Sequence, residues 1–213
     1  MARFRLRDGR AITHPDGADD EVQLLARLRC GDESAFLALV KQHHEPMLRL
    51  ARTFVQSQAV AEEIVQDTWV AVLRGIEKFE GRSSLRTWLL AILVNRARST
   101  GAREARSVPS ADPTPAVDAT RFNAAGGWSV PPEPWVEDVE DRIGADALAH
   151  VIRDALAQMP ARQRAVLMLR DVEQLHSDEV CEVLAISPAN ERVLLHRGRS
   201  RLRQALEDTI GGC

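Results

Sequence analysis

Apolar residues recur at three- and four-residue intervals along most of this chain, the spacing of amphipathic helices. Val22, Leu25 and Leu28 share one face of a helix predicted to begin near Asp20, and Gly31-Asp32 punctuates its end. A second helix is predicted over 34–55, with Phe36, Leu39, Val40, Met47, Leu50, Ala51 and Phe54 as its apolar stripe. Pro46 inside that stripe is expected to kink or restart the helix, because proline donates no backbone hydrogen bond. His43 and His44 beside it lack a further ligand of a metal site and read as interface or surface residues.

The third helix is predicted over 60–78, burying Ile64, Val65, Thr68, Trp69, Val72, Leu73 and Ile76. Its opposite face carries Glu62, Glu63, Gln66 and Asp67, near the positively polarised N-terminus where acids are favoured. Residues 79–84 form a polar loop, and Ser83 or Ser84 is placed to cap a fourth helix from Leu85. That helix carries Trp88, Leu89, Ile92, Leu93 and Ala97 on one side, with Arg86, Asn95, Arg96, Arg98 and Arg103 elsewhere. Four helices over one core predict a compact domain at 20–106, preceded by a flexible arm at 1–19.

At 107–142 the pattern breaks. Six prolines, Gly126-Gly127 and a run of acids cannot build a core, so this segment is expected to be a flexible linker. Its Phe122, Trp128 and Trp135 either contact a partner or pack loosely on the flanking domains. Periodicity resumes near Ile143 with Leu148, Val151, Ile152, Ala155 and Leu156, ending at Met159-Pro160. A helix over 161–171 turns Val166, Leu167 and Leu169 inward. Ser177 is expected to cap a short helix over 178–184, with Ala185-Ile186 as the turn. Ser187 then caps a long helix with Pro188 in its first position, where proline is favoured. A short helix, a tight turn and a longer basic helix form the arrangement that reads a DNA major groove, so 143–209 is expected to be a DNA-binding domain.

Composition adds three points. Hydrophobic residues at 45% support a real core, while only 4% aromatics and no tyrosine favour packed helices over sheet, so the expected fold is all-α with two helical domains. The net charge of −3 argues mildly against a protein that simply coats DNA. Its distribution matters more: over 107–146 Asp112, Asp118, Glu133, Glu137, Asp138, Glu140, Asp141 and Asp146 face only Arg121 and Arg142, whereas Arg192, Arg197, Arg199, Arg201 and Arg203 face only Glu191.

Cys30, Cys181 and Cys213 form no zinc-ligand spacing and read as two buried or half-buried thiols and a free C-terminal one. No apolar run approaches a membrane span, and the basic MARFRLRDGR start leads into polar residues rather than a secretory signal; a cytoplasmic setting and no membrane insertion are expected. Paired catalytic carboxylates, a glycine-rich phosphate loop and a Ser/Cys/His constellation are not legible, so neither an enzyme nor a cofactor or metal is expected.

Two stretches resemble the extracytoplasmic-function sigma factors, promoter-specificity subunits of bacterial RNA polymerase. AEEIVQDTWVAVLRGIEKFEGRSSLRTWLLAILVN resembles region 2 of that family, and LAQMPARQRAVLMLRDVEQLHSDEVCEVLAISPANERVLLHRGRSRLRQAL resembles region 4. The resemblance implies that region 2 docks on the clamp helices of core polymerase and recognises and helps melt the −10 promoter element. Region 4 then reads the −35 element on the polymerase flap, and the acidic linker enters a channel that must be positive to hold nucleic acid. By position, Glu62, Glu63, Gln66 and Asp67 would meet the clamp.

Glu80, Gly81, Arg82, Ser83 and Ser84, with Gly75, Phe79 and Asn95, would accept a flipped-out base. Phe79 is either a stacking wall or plain core. Arg86, Arg96, Arg98 and Arg103 would meet phosphates, and Trp88 is either core or a wedge at the melting fork. On the recognition helix Arg192, Val193, His196 and Arg197 would face the major groove, with Asn190, Arg199 and Ser187 beside the backbone. Leu194, Leu195, Leu202, Ala205 and Leu206 would pack.

The chain departs from the family pattern at several positions: Ala185 replaces the turn glycine, Ser99 stands where an acid is frequent, and Val193 and Leu194 replace polar residues. Glu191 replaces an aliphatic residue, so either it is exposed and pairs with Arg192 or another base, or the helix is rotated. The resemblance also implies an anti-sigma partner and a free monomer. The alternatives are a conventional helix-turn-helix regulator, with an N-terminal sensing or dimerisation domain, and a pure protein adaptor.

Overall fold

The computed structural model describes residues 18–107 and 145–211, and every regular element within them is helical. The arm at 1–17 and the linker at 108–144, with Phe122, Trp128 and Trp135, lie outside the described residues, as does Cys213.

The N-terminal bundle contains α1 (Ala18–Arg29), α2 (Glu33–Ala51), α3 (Gln58–Gly75) and α4 (Leu85–Ser107), with a 3-10 turn at Ile76–Lys78. Leu39, Met47, Leu50, Val65, Val72, Leu89, Leu90 and Leu93 are its fully buried centre. Asp32 caps α2 by accepting from the backbone N–H groups of Ser34 and Ala35. Those bonds, with the Ser34 hydroxyl first and the Arg27 guanidinium next, hold its carboxyl well below the usual carboxylate range.

Ser84 is the residue that caps α4, accepting from the Thr87 N–H at 3.1 Å, and Glu21 of α1 satisfies the Leu85 N–H at 2.9 Å. Gly101 lets α4 cross the chain after α2 closely: a Cβ there would lie 2.3 Å from the Phe54 carbonyl oxygen.

Several expectations are corrected. α1 begins at Ala18, and its inward face is Leu24, Leu25 and Leu28 with Glu21, whereas Val22 is exposed. α2 continues through Pro46 as one helix and stops at Ala51; Pro46 removes only one intrahelical donor, and Met47 and Leu50 beyond it bury completely. Leu73 belongs to the exposed side of α3, and Leu90 and Val94 widen the buried side of α4 beyond the expected stripe.

The C-terminal bundle contains α5 (Ala145–Ala157), α6 (Ala161–Leu167), a π turn at Met168–Val172, α7 (Ser177–Leu184) and α8 (Pro188–Gly211). α8 packs against α5, α6 and α7, and Gly198 makes room for the Leu167 side chain. Ser177 is the first residue of α7 rather than its cap; the Glu179 carboxylate reaches back to the His176 N–H instead.

Ser187 does cap α8, accepting from the Asn190 N–H at 3.2 Å, with Pro188 in the first position. The two bundles meet where α7 packs across α4.

Candidate nucleic-acid interface

Three surfaces follow from this packing. The first is the outer face of α3. Glu62, Glu63, Gln66 and Asp67 are all exposed, because the buried arc through Ile64, Val65, Thr68, Trp69 and Val72 turns them outward. Gln58 donates to Glu62, and Arg96 of α4 lies 3.6 Å from the Asp67 carboxylate. Val70 and Leu73 continue the same face, and Leu37 of α2 is exposed beside a cleft lined by Leu28, Phe36, Val72, Leu73 and Ile76. Val70 and Leu37 were not among the expected residues, and Leu73, expected to be buried, lies on the exposed side.

The second surface surrounds the loop between α3 and α4. Gly81 takes a left-handed φ of 68°, which glycine adopts without strain, and Glu80 and Arg82 pair at 3.1 Å in solvent. Phe79 is buried against Trp88, their ring centroids 5.0 Å apart, and Arg29 donates to its carbonyl at 2.6 Å. Phe79 is therefore core in this state and offers no open stacking wall. Gly75 serves the same packing: a Cβ there would lie 3.2 Å from the Trp88 ring.

Trp88 is half-buried, Asn95 and Arg103 are exposed, and Arg96 is half-buried. Arg98 lies over the Phe54 ring at 6.0 Å, with burial first and Arg162 second lowering its pKa.

At the N-terminus of α4, polar groups meet the C-terminal bundle. Arg86 donates to the Glu173 carboxylate at 2.8 Å and to its backbone carbonyl at 2.9 Å. Arg49 of α2 reaches the other carboxylate oxygen at 2.8 Å, leaving the Glu173 side chain only 5% exposed. The Thr87 hydroxyl donates to Glu179 at 3.0 Å, and Ser84 lies at 3.5 Å from the same oxygen. Arg49, Glu173 and Glu179 were not among the expected site residues, because contacts spanning about a hundred residues leave no local periodicity.

The third surface is the first half of α8. Ser187, Asn190, Arg192, Arg197 and Arg199 are exposed, while Val193 and His196 are half-buried. Leu195 and Leu206 bury, and Leu194, Leu202 and Ala205 pack at the margin. Arg192 folds back onto the Pro188 carbonyl, and Arg199 is held in a two-pronged contact by Asp171. Asp171 raises the Arg199 pKa, and burial lowers that of His196.

Of the alternatives left open for Glu191, the exposed position does not hold, although the residue does pair with a base. It is 1% exposed, pairs with Arg170 at 3.3 Å and accepts from Ser177, so the acid sits inside the helix-turn-helix rather than on its rim. Ala185 takes φ 50° and ψ 51°, the left-handed turn usually given to glycine.

Among the described residues no group of His, Cys, Asp and Glu is placed to hold a metal, and no helix is long and apolar enough to cross a membrane. Cys30 is exposed rather than buried, and Cys181 is half-buried with its thiol pKa raised chiefly by desolvation.

Comparison with known proteins matches two family profiles in chain order. Sigma-70 region 2 matches residues 39–107, and Sigma-70, region 4 matches residues 149–202; together they cover more than half of the chain. The RNA polymerase sigma-H factor of Pseudomonas aeruginosa is 27% identical over 192 residues, spanning 90% of this chain and 96% of that protein. The ECF RNA polymerase sigma-E factor of Escherichia coli strain K12 is 25% identical over 187 residues, spanning 88% and 94%.

Among solved structures, CnrH in complex with the cytosolic domain of CnrY has a similar fold, with a TM-score of 0.57 at 21% identity over 88% of this chain and 97% of that one. The sigma factor RpoE bound to the anti-sigma factor NepR from Bartonella quintana gives a TM-score of 0.51 at 20% identity, over 91% and 98%.

Proposed function

This chain belongs to the extracytoplasmic-function sigma factors, and from that premise we propose how its surfaces divide the selection of a promoter. As an alternative sigma factor it directs promoter-specific transcription initiation. Residues 20–106 act as region 2, 107–142 as the connecting linker and 143–209 as region 4.

Glu62, Glu63, Gln66 and Asp67 of α3 dock on the clamp helices of core RNA polymerase, a role supported by their shared exposure on one helical face. The −10 element meets the loop Glu80, Gly81, Arg82, Ser83 and Ser84 together with Asn95, and Arg86, Arg96, Arg98 and Arg103 hold its phosphates. Gly75, Phe79 and Trp88 support that loop from below. Region 4 sits on the flap and places Arg192, Val193, His196 and Arg197 in the −35 major groove, with Ser187, Asn190 and Arg199 on phosphates.

The protein works in the cytoplasm without membrane insertion, is a monomer when free, has no chemistry or cofactor of its own, and is held inactive by an anti-sigma partner. One observation carries the reading: both matched regions occur on one chain in order, and each presents exposed groups suited to DNA.

Partner dependence tests it. With core polymerase added, the chain is expected to shift an asymmetric promoter fragment and protect two separated elements; a shift of an inverted repeat by the chain alone, as a dimer, would point to a conventional regulator instead.

A further inference from the structure

Arg49 comes from α2 and Arg86 from α4, yet both guanidiniums converge on one carboxylate. Among the described residues, every ion pair that either arginine makes goes to Glu173, which belongs to the other bundle. If the bundles part, the N-terminal bundle is left with two adjacent cations and loses their shared acid. Two guanidiniums meeting at a point, each with paired N–H donors, form a site for an oxyanion with two acceptor oxygens.

We propose that Arg49 and Arg86 form a DNA phosphate-binding pair, and that the free chain fills it with its own Glu173 as an intramolecular stand-in for that phosphate. The inference rests on the −10 role given above to the loop before α4. Arg86 lies two residues beyond Ser84, so a phosphate held there belongs to the strand whose base enters that loop.

The neighbouring contacts act in the same sense. Glu179 occupies the Thr87 hydroxyl at 3.0 Å, so two carboxylates from the C-terminal bundle cover the polar start of α4 together. Arg192 and Arg197 on α8 remain exposed meanwhile, so closure covers the start of α4 and leaves the α8 surface open. Glu173 and a phosphate cannot occupy the pair at once. Opening of the bundles and capture of single-stranded DNA are therefore one equilibrium, and closure lowers apparent affinity by the fraction of chain that is open.

The test uses the full chain without polymerase and a fluorescein-labelled single strand of mixed sequence, about 15 nucleotides long. Glu173→Gln is expected to tighten binding about tenfold, as when roughly one-tenth of the wild-type chain is open. Adding Arg49→Ala to that variant removes the gain and flattens the salt dependence by about 0.7 in log–log slope, the value for one lost phosphate contact on a single strand. Binding by Glu173→Gln within twofold of wild type, or a slope unaffected by Arg49→Ala, overturns the proposal.

Glu173 is buried, so the substitution can cost folding, and circular dichroism must show intact helix before binding is read. A second measurement leaves the pair untouched. Energy transfer between dyes on Gln66→Cys and Asp208→Cys, in a chain cleared of its native cysteines, is expected to fall when the oligonucleotide binds. Unchanged transfer on binding overturns the proposal. Initiation with core polymerase separates the two readings: initiation retained while the oligonucleotide assays fail removes the phosphate pair alone.

Discussion

Glu191 and Arg170 form an ion pair at 3.3 Å inside the helix-turn-helix, with the Glu191 side chain only 2% exposed. The pair joins the start of α8 to the π turn that precedes α7, and Ser177 adds a second contact to the same carboxylate. Removing one member leaves a desolvated charge, which is costlier than removing both. Glu191→Ala is expected to destabilise the chain by about 2 kcal/mol, below the usual 3–5 for a buried pair because Arg170 keeps its bond to the Leu175 carbonyl. Glu191→Leu with Arg170→Met should recover most of that loss. Urea unfolding of both variants checks it, and a single variant as stable as wild type contradicts it.

The turn between α7 and α8 carries a small strain. An L-residue in the left-handed region costs roughly 1 kcal/mol, and Ala185 lies there with φ 50°. Ala185→Gly relieves that strain but adds freedom to the unfolded chain, so the expected net gain is about 0.5 kcal/mol. A lower melting temperature for the glycine variant would count against the assigned turn.

Gly101 is fixed by a different cause. Its neighbour is backbone, the Phe54 carbonyl, which cannot rotate away as a side chain could. Gly101→Ala is expected to push α4 off the α2–α3 connection and cost about 2 kcal/mol, measurable by thermal unfolding. A neutral effect would show that the crossing is looser than described.

Burial lowers the pKa of His43 from its ordinary value of 6.5; Arg86 adds to the shift and Glu173 opposes it. The folded chain thus holds fewer protons at this position than the unfolded chain as pH falls below 6.5. Stability is expected to decline through that window and to be complete above it. His43→Gln should flatten the slope of unfolding free energy between pH 5 and 7 by part of one proton, as read from denaturant melts at several pH values.

On α8 two arginines should behave differently. Arg197→Ala is expected to cost the polymerase-bound protein about 1–3 kcal/mol of promoter affinity and to relax preference at one −35 base pair. Arg199→Ala should weaken all sequences alike, since a phosphate contact carries no sequence information. Identical losses across a randomised −35 library for both variants would remove the base-reading role of Arg197.

Much of this fold was legible because it is built from local signals. Ser84, Ser187 and Pro188 announced two helix starts, and the spacing of Leu89, Leu93 and Ala97 gave the buried side of α4. What periodicity could not give was the difference between a stripe that faces a core and one that faces a cleft. Leu73 follows the stripe of Val72 and Ile76 yet is exposed, because α1 and α2 stop short of covering it. Pro46 does not restart the helix, for a related reason: tertiary packing of Met47 and Leu50 outweighs one missing hydrogen bond.

In the candidate interface, the basic run of α8 gave Arg192 and Arg197 as surface charges, and both are exposed, while their place in a major groove comes from the family resemblance. Phe79 was not, since an aromatic before a glycine loop looks the same whether it stacks on a base or on Trp88. Glu173 was invisible, because its meaning lies in Arg49 and Arg86, contributed by helices far away in sequence.

Transcription from defined templates tests the central claim most directly. Purified core polymerase is incubated with a genomic promoter library, with and without the chain, and run-off products are sequenced at their 5′ ends. Discrete start sites that appear only with the chain, and share two separated upstream elements, are the expected result. A chain that neither associates with core polymerase nor changes its start sites contradicts it.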